Sequence, residues 1–296
     1  MLPNFVIIGA QKSASTFMHM CLAEHPQVYM PMDEIPYFES PDFKEQPISS
    51  LEKLFSGHEQ KMLGIKRPSY IGKPEVPGNI TQSIPNAKLI AVLRNPIDRA
   101  ISSYYHNVNN NFVPARSVEK GMKLLLDGAY ENKYKRAHEI IEFGLYYKYL
   151  KDYKLFFERN QILILLHEDI IEDKLGALKK AYDFLGIDNK YIPSSLNQKP
   201  QKVLYSIPRL YLLSMRNRFC YTYNHDRTRL FAKKRNLMDR ICTNSISLLD
   251  RLVLSRIFKD IKPRLSQGLK VHLSEIYKSD IESCQSLIGR DLSHWM

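Results

Sequence analysis

The stretch Phe5-Val6-Ile7-Ile8-Gly9-Ala10-Gln11-Lys12-Ser13-Ala14-Ser15-Thr16-Phe17 joins an apolar run to a loop of small residues and then to a helix signal. A short run rich in β-branched residues suits a strand buried on both faces. From Thr16 to Glu24 the apolar residues recur at three- and four-residue spacing, which predicts a helix. A strand, a loop and a helix in this order aim backbone N–H groups and a helix N-terminus at one point, where an anion binds. Small residues let that backbone approach the ligand, and Lys12 adds a point charge. Ser15 and Thr16 are expected to cap the helix while offering their hydroxyls. The stretch is not a Walker A loop, because that motif is G-x-x-x-x-G-K-[ST] and Lys12 stands three residues after Gly9, the loop's only glycine. A plain capped turn between strand and helix is the competing reading of this segment.

The same alternation continues to about residue 198. Strands are predicted at Lys61 to Ile65, Lys88 to Leu93 and Gln161 to Leu166, and helices at Ile97 to Asn107, Val118 to Asp127, Ile140 to Phe157 and Leu175 to Leu185. The fold class is therefore α/β, a P-loop-like doubly wound parallel sheet flanked by helices. The strand at Lys88 to Leu93 ends in Arg94-Asn95-Pro96, so Arg94 stands at the carboxyl end of a parallel strand, where open α/β sheets place their ligands. Ser102 follows eight residues later, about two helical turns on, and shares an anion with Arg94 only if the chain doubles back. A kinase or GTPase would want an acidic magnesium ligand on such a strand. An arginine there argues for direct phosphate contact.

With these segments in place, the chain resembles the PAPS-dependent sulfotransferases, closest in motif style to the carbohydrate and bacterial branch. GAQKSASTF at 9–17 is similar to the family's loop for the 5′-phosphosulfate, and LIAVLRNPIDRAISSYYH at 89–106 to its 3′-phosphate segment. DEIPYF at 33–38, GIKRPSY at 64–70, residues 142–171, DFLGI at 183–187 and LIGRDLSHW at 287–295 extend the likeness over about 1–198 and 265–296. The resemblance implies PAPS as donor and adenosine 3′,5′-bisphosphate as product; no metal is expected, because Lys12, Lys66 and the loop amides supply the electrostatic stabilisation that magnesium gives a kinase. The resemblance makes Lys12 the group that stabilises charge on the sulfuryl and the leaving phosphate oxygen. Ser13, Ala14, Ser15, Thr16 and Phe17 would contact the 5′ end, and Arg94 and Ser102 the 3′-phosphate. Ala14 departs from the commoner glycine and Ser15 from the usual threonine, and Ala14 narrows the backbone angles allowed there.

A base must take the proton of the attacking hydroxyl or amine. Members acting on phenols and steroids use a histidine in a K-T-H context, whereas the corresponding Ile65-Lys66-Arg67-Pro68-Ser69-Tyr70 has none. Glycan-type members use a glutamate before an aromatic pair, a pattern similar to Glu34-Ile35-Pro36-Tyr37-Phe38. Glu34 is accordingly the candidate base, with Asp33 as competitor and Lys66 as a second cation at the transferring group. A solvated loop carboxylate and a strand-end cation are the plain alternatives. His106 reads as structural, and Trp295 as a packing anchor. His167-Glu168-Asp169, expected at a strand end where neighbours point to opposite faces, is weak as a metal site.

Charge is concentrated in one place. Between Lys199 and Arg264 there are sixteen Lys or Arg, four Asp and no Glu, a local charge of +12, so the remainder of the 296-residue chain sums to zero. This aromatic-rich segment is expected to be a helical basic insertion within one 1–296 domain. It is either a solvated subdomain or a surface for an anionic acceptor, a membrane or a partner. Two other functions stay open: an ATP-dependent P-loop kinase, and a basic protein binding nucleic acid or a membrane surface. No motif that reads nucleic acid is visible. Four scattered cysteines without CxxC spacing predict reduced thiols and a cytoplasmic location, and no run reaches the roughly 18 apolar residues of a membrane span. The acceptor is expected to be a saccharide or a small hydroxylated or amino metabolite.

Overall fold

Every residue of Phe5–Gly9 (β1) is buried, which a strand achieves only with cover on both faces. The protein is described here from a computed structural model, over residues 1–198 and 203–296. After β1 come Ser15–Ala23 (α1), Val28–Tyr29 (β2), Met62–Lys66 (β3), Val76–Ser83 (α2), Lys88–Leu93 (β4), Pro96–Asn109 (α3), Val118–Leu126 (α4) and Tyr146–Phe156 (α5). Ile162–Leu166 (β5), His167–Glu172 (α6), Lys174–Leu185 (α7), Ile207–Cys220 (α8), Tyr221–Tyr223 (β6), Leu230–Ala232 (β7), Leu237–Leu249 (α9) and Gln267–Ile288 (α10) follow, with shorter helical turns between them. The described residues form two compact units, one holding 1–99, 145–198 and 277–296, the other 100–144 and 203–276.

The first unit carries a five-stranded sheet in the order β2-β3-β1-β4-β5. All its pairs are parallel, with Ile7 opposite Lys66 on one side and Ile90 on the other, and Leu93 opposite Leu166. From β1 the chain travels to one flank and returns through β3, then crosses to β4 and β5. The order therefore reverses beside β1, the position at which doubly wound sheets bind ligands. Phe5, Ile7, Ile90, Val92 and Leu165 line one face and pack on Met18, Cys21 and Leu22 of α1 and on Leu178, Ala181 and Leu185 of α7. On β3, Gly64 faces the Phe5 ring so closely that an added Cβ would lie 2.1 Å from Phe5 Cζ. The ring of Phe5 occupies the place of that missing side chain.

Local signals start and stop these helices. Asn95 Oδ1 accepts from the N–H groups of Ile97 and Asp98 at 3.0 and 3.2 Å and starts α3 directly after Arg94. Asp173 accepts from Gly176 N–H at 2.8 Å to start α7, and Gly186 at φ 73 ends it. The helix expected from Ile140 to Phe157 is instead two, Glu139–Glu142 and α5, interrupted around Gly144. Glycine weakens the helix there. In the first unit the N–H groups of Tyr147 and Lys148 are held by the Asp280 carboxylate of α10 at 3.0 and 2.9 Å, which fixes a fresh N-terminus.

His167, Glu168 and Asp169 belong to α6 rather than to a strand end, because Asp169 turns back to accept from Leu166 N–H at 3.4 Å and opens the helix. Two carboxylates in a first turn favour that start. They also hold the C-terminal segment: Arg290 pairs with both oxygens of Asp169 at 3.0 and 2.8 Å. The indole N–H of Trp295 donates to Glu168 Oε1 at 2.8 Å, with Trp295 only 2 % exposed. Trp295 is thus a packing anchor.

The second unit contains the described part of the basic segment, residues 203–264; Lys199 and Lys202 fall outside the described residues. The segment is helical through α8 and α9, but β6 and β7 between them pair as an antiparallel hairpin that periodicity had not indicated. Cys21, Cys220, Cys242 and Cys284 are all free thiols.

Candidate active site

β1, β3 and β4 deliver Gly9, Lys66 and Arg94 to the same carboxyl edge of the sheet, where the loop after β1 begins. Ala10 N–H donates to Val92 O at 2.8 Å, so the loop leaves the sheet tied to β4. Lys12 and Ala14 then both adopt left-handed backbone, at φ 65 and φ 72. Such residues turn successive N–H groups inward, and for a residue with a Cβ the conformation costs about 1 kcal/mol or more. Ala14 is the N-cap of α1 and no side chain caps this helix. The expected capping by Ser15 and Thr16 does not occur, because both lie inside the first turn, one and two positions past the cap. The N-terminus of α1 is consequently left with its positive end uncapped by any side chain, an arrangement suited to an anion.

Three cations gather at this loop, one of them its own Lys12. Lys66, the last residue of β3, is 5 % exposed, and its ammonium lies 3.3 Å from Glu34 Oε1 and 3.4 Å from Thr16 Oγ1. Arg94 donates to the carbonyl of Lys12 at 3.0 Å and stands 4.0 Å from Asp98. Its backbone carbonyl accepts from the hydroxyl of buried Tyr146 at 2.8 Å. Burial, and secondly the neighbouring Arg94 charge, hold the Lys12 ammonium below the usual lysine range, against the opposing pull of Glu34. A bound anion would relieve this crowding, so the residues present fit a phosphorylated or sulfated ligand.

Glu34 reaches the cluster from the loop after β2. That loop is fixed by Ile35 N–H donating to Lys66 O at 3.1 Å and by the Tyr70 hydroxyl donating to Ile35 O at 2.6 Å. Arg67 lies between Glu34, at 3.3 Å, and the buried Glu39. The side chain of Glu34 is 41 % exposed and can meet an incoming group. Ser13 and Ser15 are buried, Thr16 is exposed, and the Phe17 ring lies 5.9 Å from the Lys174 ammonium. The sheet edge thus brings together Lys12, Lys66, Arg94, Glu34 and the 13–17 turn. Ser102 is 2 % exposed on α3 and belongs to the second unit.

His19 escaped the sequence reading. It is 2 % exposed on α1, and its Nε2 lies 3.0 Å from the Pro31 carbonyl, so a neutral ring donating there ties the helix to the loop that carries Glu34. Burial first, and then the Lys66 charge, lower its pKa to about 4. Its only sequence signal is its place seven residues after Lys12, on the helical face that also carries Thr16. Arg67, read only as part of a motif, is the second residue of the site that sequence reasoning left without a role.

The chain was compared with known proteins. It is 36 % identical over 110 residues to the membrane-associated sulfotransferase kil1 of Dictyostelium discoideum, covering 36 % of this chain and 23 % of that protein. It is 27 % identical over 186 residues to the mouse heparan sulfate glucosamine 3-O-sulfotransferase 3A1, covering 63 % and 46 %. The aligned stretches take in less than half the length of these relatives. Among solved structures, a sulfotransferase from Alicyclobacillus acidocaldarius superposes with a TM-score of 0.70 at 20 % identity, over 100 % of this chain and 99 % of that one. Mouse sulfotransferase SULT7A1 complexed with PAP gives 0.50 at 15 % identity, over 94 % and 84 %. The family profile described as "Sulfotransferase domain" matches residues 2–241, and with most of the 296 residues inside that match the chain belongs to the sulfotransferase domain family.

Proposed function

We propose that the protein transfers the sulfuryl group of PAPS to a hydroxyl or amine of a saccharide or small-molecule acceptor, releasing adenosine 3′,5′-bisphosphate. The observation that carries this reading is the buried ammonium of Lys66, set between the Glu34 carboxylate at 3.3 Å and the Thr16 hydroxyl at 3.4 Å beside the uncapped turn. That site combines cations for a transferring anion with a carboxylate for the acceptor's proton.

In the proposed step the acceptor oxygen or nitrogen forms a bond to sulfur as the bond from sulfur to the leaving phosphate oxygen breaks. Glu34 takes the acceptor's proton. Lys12 and Lys66 balance the charge on the sulfuryl oxygens and on the leaving oxygen, and the N–H groups of the 13–17 turn hold the phosphate. Arg94 is assigned to the 3′-phosphate. Ser102 joins it there by the family resemblance alone. The saccharide acceptor is supported by the heparan sulfate relatives and by the glutamate-before-aromatics pattern at Glu34.

The test is a panel of sugars and hydroxylated or amino metabolites incubated with labelled PAPS, each product read by mass spectrometry for the gain of one sulfonate. A sulfonated product from the intact chain is expected. Lys12→Ala, with its melting curve unchanged, should lower turnover roughly a hundredfold to a thousandfold, the scale of losing one preorganised charge partner. Unchanged turnover in that variant would remove Lys12 from the reaction.

A further inference from the structure

The helix α9, continued by a wide turn at Asp250–Leu254 and by Ser255–Ile257, is inside out. Its polar residues face the protein: Asp239, Thr243 and Asp250 are 6–8 % exposed. Asp239 is paired with Lys233 at 3.0 Å, and Asp250 with Arg209 of α8 through two contacts of 2.8 and 2.9 Å. Most of its leucines and isoleucines face outward. Leu237 is 73 % exposed, and Ile241, Leu248 and Leu252 are 45–48 % exposed. At about 100° per residue these four fall within roughly 60° of one another, a single stripe, with Asn244 and Ser245 also on that side. Ordinary surface helices show the reverse arrangement.

Cations border the stripe. Arg240 and Arg251 are exposed along one edge and Arg256 near the C-terminal end, while beyond the helix Lys259 stands beside the exposed Asp260. Of the acids between 237 and 257, Asp239 and Asp250 are the only two, and both are turned inward into ion pairs. An outward apolar stripe with cationic borders and no outward acid matches a bilayer whose headgroups are anionic and whose acyl layer accepts leucine and isoleucine. A two-fold contact with a second copy would set the same arginines against each other. Among the described residues no helix is long and apolar enough to cross a membrane.

We propose that the outward face of residues 237–257 docks the protein, in the plane of the surface, on anionic lipid. The docking face lies wholly in the second unit and does not depend on the identity of the sulfuryl acceptor.

The experiment is flotation of the full chain in about 0.1 M salt. It compares vesicles of pure phosphatidylcholine with vesicles containing phosphatidylserine, and sedimentation records the oligomeric state. The protein is expected to float with the anionic vesicles and at least tenfold less with the neutral ones. Leu248→Gln with Leu252→Gln, and separately Arg240→Gln with Arg251→Gln, should each cut flotation about tenfold while circular dichroism is retained. If the leucine pair fails to fold, the arginine pair decides. The proposal is overturned if the protein stays in solution with anionic vesicles, if neutral vesicles bind it equally, or if neither folded variant loses binding. It is also overturned if the chain forms a dimer that the leucine variant dissolves and shows no flotation, which would make the face a contact between copies.

Discussion

Lys66 carries its charge at a position where a cation survives burial only with partners, and Glu34 and Thr16 are those partners. Glu34→Gln keeps the shape of the side chain but removes both its charge and its capacity to take a proton. The rate should fall roughly a hundredfold to ten-thousandfold, with adenosine 3′,5′-bisphosphate binding by calorimetry changed less than about threefold. Loss of that binding would instead make Glu34 a positioning residue for Lys66. His19 makes a pH prediction. Its folded pKa of about 4 lies below the unfolded 6.5, so the unfolded chain binds the extra proton between these values. Stability is therefore full above pH 6.5 and falls as pH drops toward 4, by roughly 3 kcal/mol. Urea unfolding of the protein and of His19→Gln across pH 4–7 measures it, and the variant should show a shallower fall. Lys12, Glu34 and Lys66 were legible because each stands in a motif bounded by a strand. His19 was not, because Pro31 and Lys66, which give it meaning, are distant in sequence and meet it only in the folded sheet.

At the scale of elements, the central strands were readable for a physical reason. Burial on both faces forces an unbroken apolar run, and the Lys88–Leu93 strand falls on its expected boundaries. The edge strand Val28–Tyr29 was not readable, since two residues carry no pattern. The split at Gly144 was invisible for another reason: periodicity continues across it, and the group that begins α5, Asp280, lies more than 130 residues along the chain. Asp280→Ala leaves the N–H groups of Tyr147 and Lys148 without their acceptor. It should cost about 1–2 kcal/mol in chemical denaturation, the scale of a lost cap, and should raise amide exchange over the first turn of α5. A change within about 0.3 kcal/mol would mean the helix start is set by the backbone alone.

For the molecule as a whole, the nucleotide decides between sulfuryl transfer and phosphoryl transfer. At a hundred times its dissociation constant, adenosine 3′,5′-bisphosphate should stabilise the fold by about 2.7 kcal/mol. The gain in hydrogen-exchange protection should centre on residues 10–17 and on Arg94. ATP with magnesium should give less; the opposite ranking would favour the kinase. Function and charge are unevenly distributed along the chain. Lys12, Glu34, Lys66 and Arg94 belong to the first unit, whereas the whole +12 excess comes from 199–264. That asymmetry was legible from composition, but the direction in which the residues face was not, because periodicity reports that a helix has two sides and is silent on which one is covered. Where α9 turns its hydrophilic side to the protein, the ordinary map of mutational tolerance is inverted. Polar replacements should be absorbed at the exposed leucine and isoleucine positions, while exchange of Asp239 or Asp250 for an aliphatic residue takes away the buried partner of Lys233 or of half-buried Arg209 and disturbs the fold.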